Sequence, residues 1–180
     1  MNSACKNIVL CGFMATGKSS VGKKLAELTG YTFIDLDAAV ESEEGLTVAE
    51  IFASQGEPAF RALESRMIER LADKSGIVVA TGGGAVVNPK NLENLKKCGV
   101  VVTLTADIPV ILQRAGSGDD RPLLQCADRE ERIRSLLRQR EHAYAQADII
   151  LDTSGLTIDA VALRLLECLR GFGIDLTPVD

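Results

Sequence analysis

The chain has 180 residues, 46% of them hydrophobic and 25% charged, and a formal net charge of −5. That length and composition suit one globular domain spanning 1–180, and the acidic balance excludes a nucleic-acid binder working by bulk electrostatics. No run approaches the ~20 apolar residues of a membrane span, the polar opening Met1–Lys6 is no secretion signal, and five cysteines without a C-x-x-C pair exclude a disulfide frame or zinc site, which places the chain in the cytoplasm.

In chain order, Ile8–Cys11 reads as a buried strand. It runs into Gly12-Phe13-Met14-Ala15-Thr16-Gly17-Lys18-Ser19, the pattern G-x-x-x-x-G-K-[ST], and then a helix from Ser20 to Leu28 closed by Gly30. Strand, glycine loop and helix are the context of a phosphate-binding loop. Its backbone N–H groups and the helix N-terminus make an anion cradle. Lys18 can reach the β- and γ-phosphates and the Ser19 hydroxyl can ligate Mg²⁺, so a nucleoside triphosphate binds here.

Tyr31–Asp37 is a second strand ending in two aspartates, followed by helical pieces at Ala38–Glu44 and Val48–Ser54, the latter capped by Thr47. A longer amphipathic helix covers Pro58–Lys74. Ile77–Ala80 is a third strand, buried and apolar, ending at Thr81-Gly82-Gly83-Gly84. Asn88 and Pro89 open a helix to Cys98 that Gly99 closes. Val100–Leu104, a helix at Ile108–Arg114, a helix at Asp128–Ala145, a strand at Ile149–Leu151 and a helix at Ile158–Arg170 capped by Thr157 complete the pattern. Residues 115–127 lack periodicity and read as a mobile loop, and 171–180 as a frayed tail.

Apolar strands alternating with helices predict a parallel α/β sheet covered on both faces, with ligands at the carboxyl ends of the strands. Gly12–Ser19, the Asp35/Asp37 pair and Gly82–Gly84 fall along that rim. Asp35 and Asp37 need not share one job: one can serve a magnesium shell and the other an acceptor hydroxyl; alternatively Asp37 caps the helix that follows. Arg61 and Glu64 share a helix face. They are either a solvated pair or an arginine oriented by Glu64 toward an anionic substrate. Three consecutive glycines serve either a turn or the close approach of a ligand. Arg121, in the loop, is either a surface residue or a lid arginine that neutralises transferring phosphate. His142, the one histidine, sits on a charged helix and has no assigned role.

With these residues in view, the chain resembles the shikimate kinase family, a small branch of the nucleoside-monophosphate-kinase-like P-loop proteins. The resemblance rests on Gly12–Gly22, Phe33–Asp37, Gly56-Glu57 with Phe60-Arg61 and Glu64, Thr81–Gly84, Arg121-Pro122-Leu123-Leu124, and Arg140 with Tyr144, in family order. It implies a three-layer α/β/α P-loop kinase fold with a five-stranded parallel sheet in the order 2-3-1-4-5 and a mobile lid near 115–127. It further implies ATP-dependent phosphorylation of the 3-hydroxyl of shikimate, a step toward chorismate and the aromatic amino acids.

On this resemblance ATP lies against Gly12, Ala15, Thr16, Gly17, Lys18, Ser19, Ser20, Arg114 and Arg121. Shikimate lies against Asp37, Arg61, Gly82, Gly83, Gly84 and Arg140, within a substrate region that includes 35–64. Lys18, Asp37 and Arg121 are the catalytic candidates, Asp37 to take the proton of the attacking hydroxyl. Glu64 supports Arg61, and Ser19 and Asp35 hold Mg²⁺, Asp35 through water. A monomer without nucleic-acid or membrane partners is expected. The family's adenine-contacting stretch falls near Asp152-Thr153-Ser154, which is weakly marked and left unassigned, and the proline common before the position of Tyr144 is absent. The alternatives are a related kinase acting on gluconate or a nucleotide, and a non-catalytic nucleotide-binding protein.

Overall fold

A computed structural model of the chain describes residues 7–116, 122–124 and 126–174. At its centre lies β1 (Asn7–Gly12), with every residue buried. Successive side chains of a strand point to opposite faces. Ile8 and Leu10 therefore enter one apolar cluster while Val9 and Cys11 enter another. β3 (Ile77–Ala80) and β4 (Gly99–Thr105) flank β1 in parallel. β2 (Thr32–Asp35) and β5 (Ile149–Asp152) extend the sheet to the order 2-3-1-4-5.

One face is covered by α1 (Lys18–Thr29) and α7 (Ile158–Arg170), through Val21, Leu25, Val161 and Leu165. The other is covered by α4 (Pro89–Cys98), α5 (Ile108–Ala115), α6 (Arg129–Tyr144) and the second half of α3 (Val48–Arg70). This is the three-layer P-loop kinase arrangement. α2 (Leu36–Glu44) stands outside the layers and packs on α3, on both sides of its kink, through a separate cluster of Val40, Ile51 and Phe60.

Several expected boundaries move. β2 stops at Asp35 and Asp37 lies in the first turn of α2, so the two aspartates do not both end the strand. Asp35, not Asp37, is the cap, accepting from the N–H groups of Asp37 and Ala38. The helical pieces expected at 48–54 and 58–74 form one run to Arg70, kinked at Gly56 (φ 81°, ψ 168°) and followed by a 3-10 turn, Leu71–Asp73. Pro58 fits because the kink makes it a first-turn residue, where its missing N–H costs nothing. Gly99 closes α4 as expected, its N–H donating to Leu95 O, but in an extended conformation that also opens β4. Within 115–127, Pro122–Leu124 form a 3-10 turn with Leu124 buried, and Ile174 of the expected frayed tail is buried as well.

The sheet is tied at its amino edge by Asn7, which is 1% exposed. Its Nδ2 donates to Lys74 O at 2.7 Å and Cys98 O at 3.1 Å, and its Oδ1 accepts from Ile77 N at 3.1 Å. One amide thus satisfies backbone groups at and just before the starts of β3 and β4. Asn7→Ala leaves them buried without a partner and lowers stability by roughly 3 kcal/mol. In urea unfolding the midpoint falls with the slope unchanged.

Candidate active site

β1 ends at Gly12 (φ 127°), where a Cβ would drive into the Leu104 carbonyl of β4. The loop then turns through Ala15 (φ 61°), the one non-glycine residue with positive φ among the described residues, a conformation that L side chains rarely adopt. Gly17 begins α1 without a side-chain cap. No capping side chain thus competes at this helix N-terminus, the kind of end that attracts anions. Lys18 Nζ folds back to donate to Gly12 O (3.0 Å) and Phe13 O (2.8 Å). Ser19 Oγ donates to Asp35 Oδ2 at 2.7 Å, so the residue that caps α2 also meets the glycine loop.

The glycine run after β3 is a site of close approach. A Cβ on Gly82 would strike Glu64 Oε1 and crowd Asp37 Oδ1, and one on Gly84 would strike the Arg61 guanidinium. Arg61 is held by Glu64 Oε2 at 2.8 Å and by Glu57 Oε1 at 3.0 Å, with its guanidinium 5.2 Å from the Phe60 ring centroid. Arg140 is 7% exposed despite its charged helix. It lies over the Phe13 ring at 5.8 Å and donates to Gly83 O at 3.2 Å. Tyr144 Oη donates to the same carbonyl at 2.5 Å, and burial pushes its phenol up to about 12, so it stays a donor.

Glu64 is fully buried, and neither its Oε1 nor Asp37 Oδ1 has a hydrogen-bond partner. Burial, and then the nearby Asp35 carboxylate, raises the Asp37 carboxyl above its ordinary range. Burial likewise raises Glu64, against the pull of Arg61.

Two cavities meet at these groups. The larger, about 840 Å³, is lined by the loop from Met14 to Val21, Asp35, Asp37, Arg114 and Thr153. The smaller, about 110 Å³, is lined by Asp37, Phe52, Phe60, Arg61, Arg140 and Gly82–Gly84. Met14, Asp37, Gly82 and Gly83 belong to both. One side therefore offers phosphate donors and hard oxygen ligands, and the other two arginines and an aromatic wall.

A family model described as shikimate kinase matches residues 14–170. A shikimate kinase of Geobacter sulfurreducens is 46% identical over 165 residues, covering 92% of this chain and 91% of the relative. That of Caldanaerobacter subterraneus subsp. tengcongensis is 48% identical over 162 residues, covering 90% and 95%. The solved structure of shikimate kinase from Acinetobacter baumannii in complex with shikimate superposes with a TM-score of 0.90 at 36% identity, covering 94% of this chain and 96% of that one. The chain belongs to the shikimate kinase family.

In this shikimate kinase family member, Ala15, Thr16, Gly17, Lys18, Ser19, Ser20, Asp35 and Arg114 line the larger cavity. Arg61, Gly84 and Arg140 line the smaller, and Asp37, Gly82 and Gly83 line both. Gly12 lies beneath the loop and Glu64 behind Arg61. Arg121 lies outside the described residues. The Arg61–Glu64 pair is not a solvated contact, since Glu64 has no exposure. Sequence reasoning left two residues without a role: Tyr144, quoted only as a family match, and Thr153, which follows β5 and has no pattern around it.

Glu64 supplies a pH test with a definite sign. Its folded carboxyl binds its proton more tightly than an unfolded one, so its contribution is full below the ordinary carboxyl range and lost as pH rises through the raised value. Unfolding free energies of wild type and Glu64→Gln, measured at about pH 5 and about pH 8, should show wild type losing ground to the variant at the higher pH. A wild-type advantage that grows with pH contradicts the burial argument.

Proposed function

We propose that the chain transfers the γ-phosphoryl group of ATP to the 3-hydroxyl of shikimate, giving shikimate 3-phosphate and ADP on the route to chorismate and the aromatic amino acids. The observation that carries this reading is Asp37. It stands on the wall common to both cavities, between the phosphate side and the two arginines. Its carboxylate is there to meet a hydroxyl of the acceptor.

The smaller cavity takes shikimate. Arg61 and Arg140 grip its carboxylate in the bidentate manner of guanidinium groups, and the Gly82–Gly84 backbone lets the ring approach closely. The larger cavity takes ATP, with its phosphates on the uncapped N-terminus of α1. Lys18 exchanges the loop carbonyls for β- and γ-phosphate oxygens. Asp37 orients the 3-hydroxyl and accepts its proton as the new O–P bond forms and the bond from the γ-phosphorus to the β–γ bridging oxygen breaks. Positioning and charge neutralisation supply most of the rate. Arg121 enters from the sequence, as a lid arginine over the transferred group.

Ser19 and Asp35 are hard oxygen donors whose oxygens lie 2.7 Å apart. Among the described residues no group of three or more His, Cys, Asp or Glu could hold a metal. That donor set fits Mg²⁺, which takes one or two protein ligands and completes its shell from phosphates and water. When bound, the ion neutralises charge on the β- and γ-phosphates. The reading also takes the enzyme as a cytoplasmic monomer without nucleic-acid partners, in keeping with its acidity. Among the described residues no helix is long and apolar enough to cross a membrane.

A coupled ADP-release assay with shikimate, gluconate and nucleoside monophosphates tests the acceptor, and turnover confined to shikimate is expected. Arg61→Ala should raise the shikimate KM roughly tenfold to a hundredfold, the worth of a charge-assisted pair, with the ATP KM little changed. Wild-type shikimate kinetics in that variant would sink the substrate site. Lys18→Ala should lose turnover with the fold kept. Chelation of divalent ions should stop turnover, and added Mg²⁺ should restore it.

A further inference from the structure

The turn after β5 brings one buried hydroxyl to the wall of the larger cavity. Thr153 is 2% exposed. Its Oγ1 accepts from Arg114 Nη1 at 3.0 Å and has Thr105 O at 3.0 Å and Thr16 O at 3.1 Å within donating reach. Its carbonyl accepts from Arg114 Nη2 at 3.1 Å, and its N–H donates to Thr105 O at 2.9 Å. A threonine hydroxyl accepts twice and donates once, so this one holds the guanidinium and shares its proton between two carbonyls. Three elements meet there: the end of β4 at Thr105, the glycine loop at Thr16, and α5 through Arg114.

The turn itself is braced. Ser154 Oγ donates to Asp152 Oδ1 at 2.8 Å and accepts from Asp107 N at 2.9 Å, which fixes the backbone on either side of Thr153. Arg114 is thereby held at two points in one plane, a constraint that a planar guanidinium transmits to whatever lies against it. Arg114, Thr16 and Thr153 all line the larger cavity.

We propose that Thr153 is a positioning residue for the nucleotide, its hydroxyl locking Arg114 and the glycine loop at Thr16 into one register on the cavity wall. This rests on the reading of that cavity as the ATP site. Thr153 touches neither the acceptor cavity nor Asp37, so its effect is confined to the nucleotide.

The experiment combines steady-state kinetics with ATP titration by calorimetry in the full chain. Thr153→Val keeps the shape and removes the hydroxyl. It should raise the ATP KM and Kd about tenfold, the scale of one hydrogen bond to a charged group, with the shikimate KM within about twofold. Thr153→Ser should restore wild-type values. In an Arg114→Ala background, Thr153→Val should cost less than alone, since the part of its effect carried by that arginine is already gone. An unchanged ATP KM, an equal rise in both KM values, a serine variant that behaves like valine, or full additivity with Arg114→Ala would each overturn the inference. Wild type that binds no ATP would overturn the ATP reading with it. Wild-type binding with an indifferent valine variant overturns the positioning role alone.

Discussion

At Gly82 and Gly84 there is no room for a side chain, because a carboxylate pair and a guanidinium already occupy the space. The end of β3 reaches the site as bare backbone, and α2 and α3 close over it with Asp37, Glu64 and Arg61. Charges so placed depend on one another, since a buried charge without a partner costs far more than a single contact returns. The compensation stays incomplete: Asp37 Oδ1 and Glu64 Oε1 have no donors. A chain selected for stability alone would fill such a wall with apolar groups. Leaving it polar and unsatisfied costs core stability, a departure from good packing that is concentrated at functional sites.

Helix termini divide the labour around that point. α2, α3, α4, α6 and α7 begin on a side chain that accepts from their first N–H groups. α1 begins on Gly17, which has no side chain to offer. No side chain caps that end, and a helix dipole without such a cap attracts anions. Asp35 does double service, capping α2 and accepting from Ser19. The placement of Asp37 in the first helical turn therefore follows from the same residue that meets the glycine loop.

Much of this could be read from the chain. The glycine loop has fixed spacing because backbone geometry and phosphate size fix it, and strand periodicity is a local signal. The five strands and the caps at Thr47, Asn88 and Thr157 were found for that reason. The sheet order came from family resemblance and agrees with the fold, since periodicity carries no information on which strands are neighbours. The placement of Asp35 and Asp37 failed because two aspartates after an apolar run fit a strand end and a helix start equally well. A cap depends on backbone dihedrals that propensity does not resolve.

Arg140 and Thr153 were beyond local reading for a different reason. Arg140 lies on a helix as charged as any solvated one, and its burial comes from Phe13 and Gly83, more than fifty residues earlier in the chain. Thr153 is one hydroxyl whose partners are Thr16, Thr105 and Arg114, distant in sequence and adjacent in space. The sequence was enough to establish the triphosphate loop, the alternation of strands and helices and the family, because each is written in local spacing. The meeting of two cavities at Asp37, the buried state of Glu64 and Arg140 and the junction at Thr153 needed the folded chain. They are contacts between segments that only packing of the layers brings together.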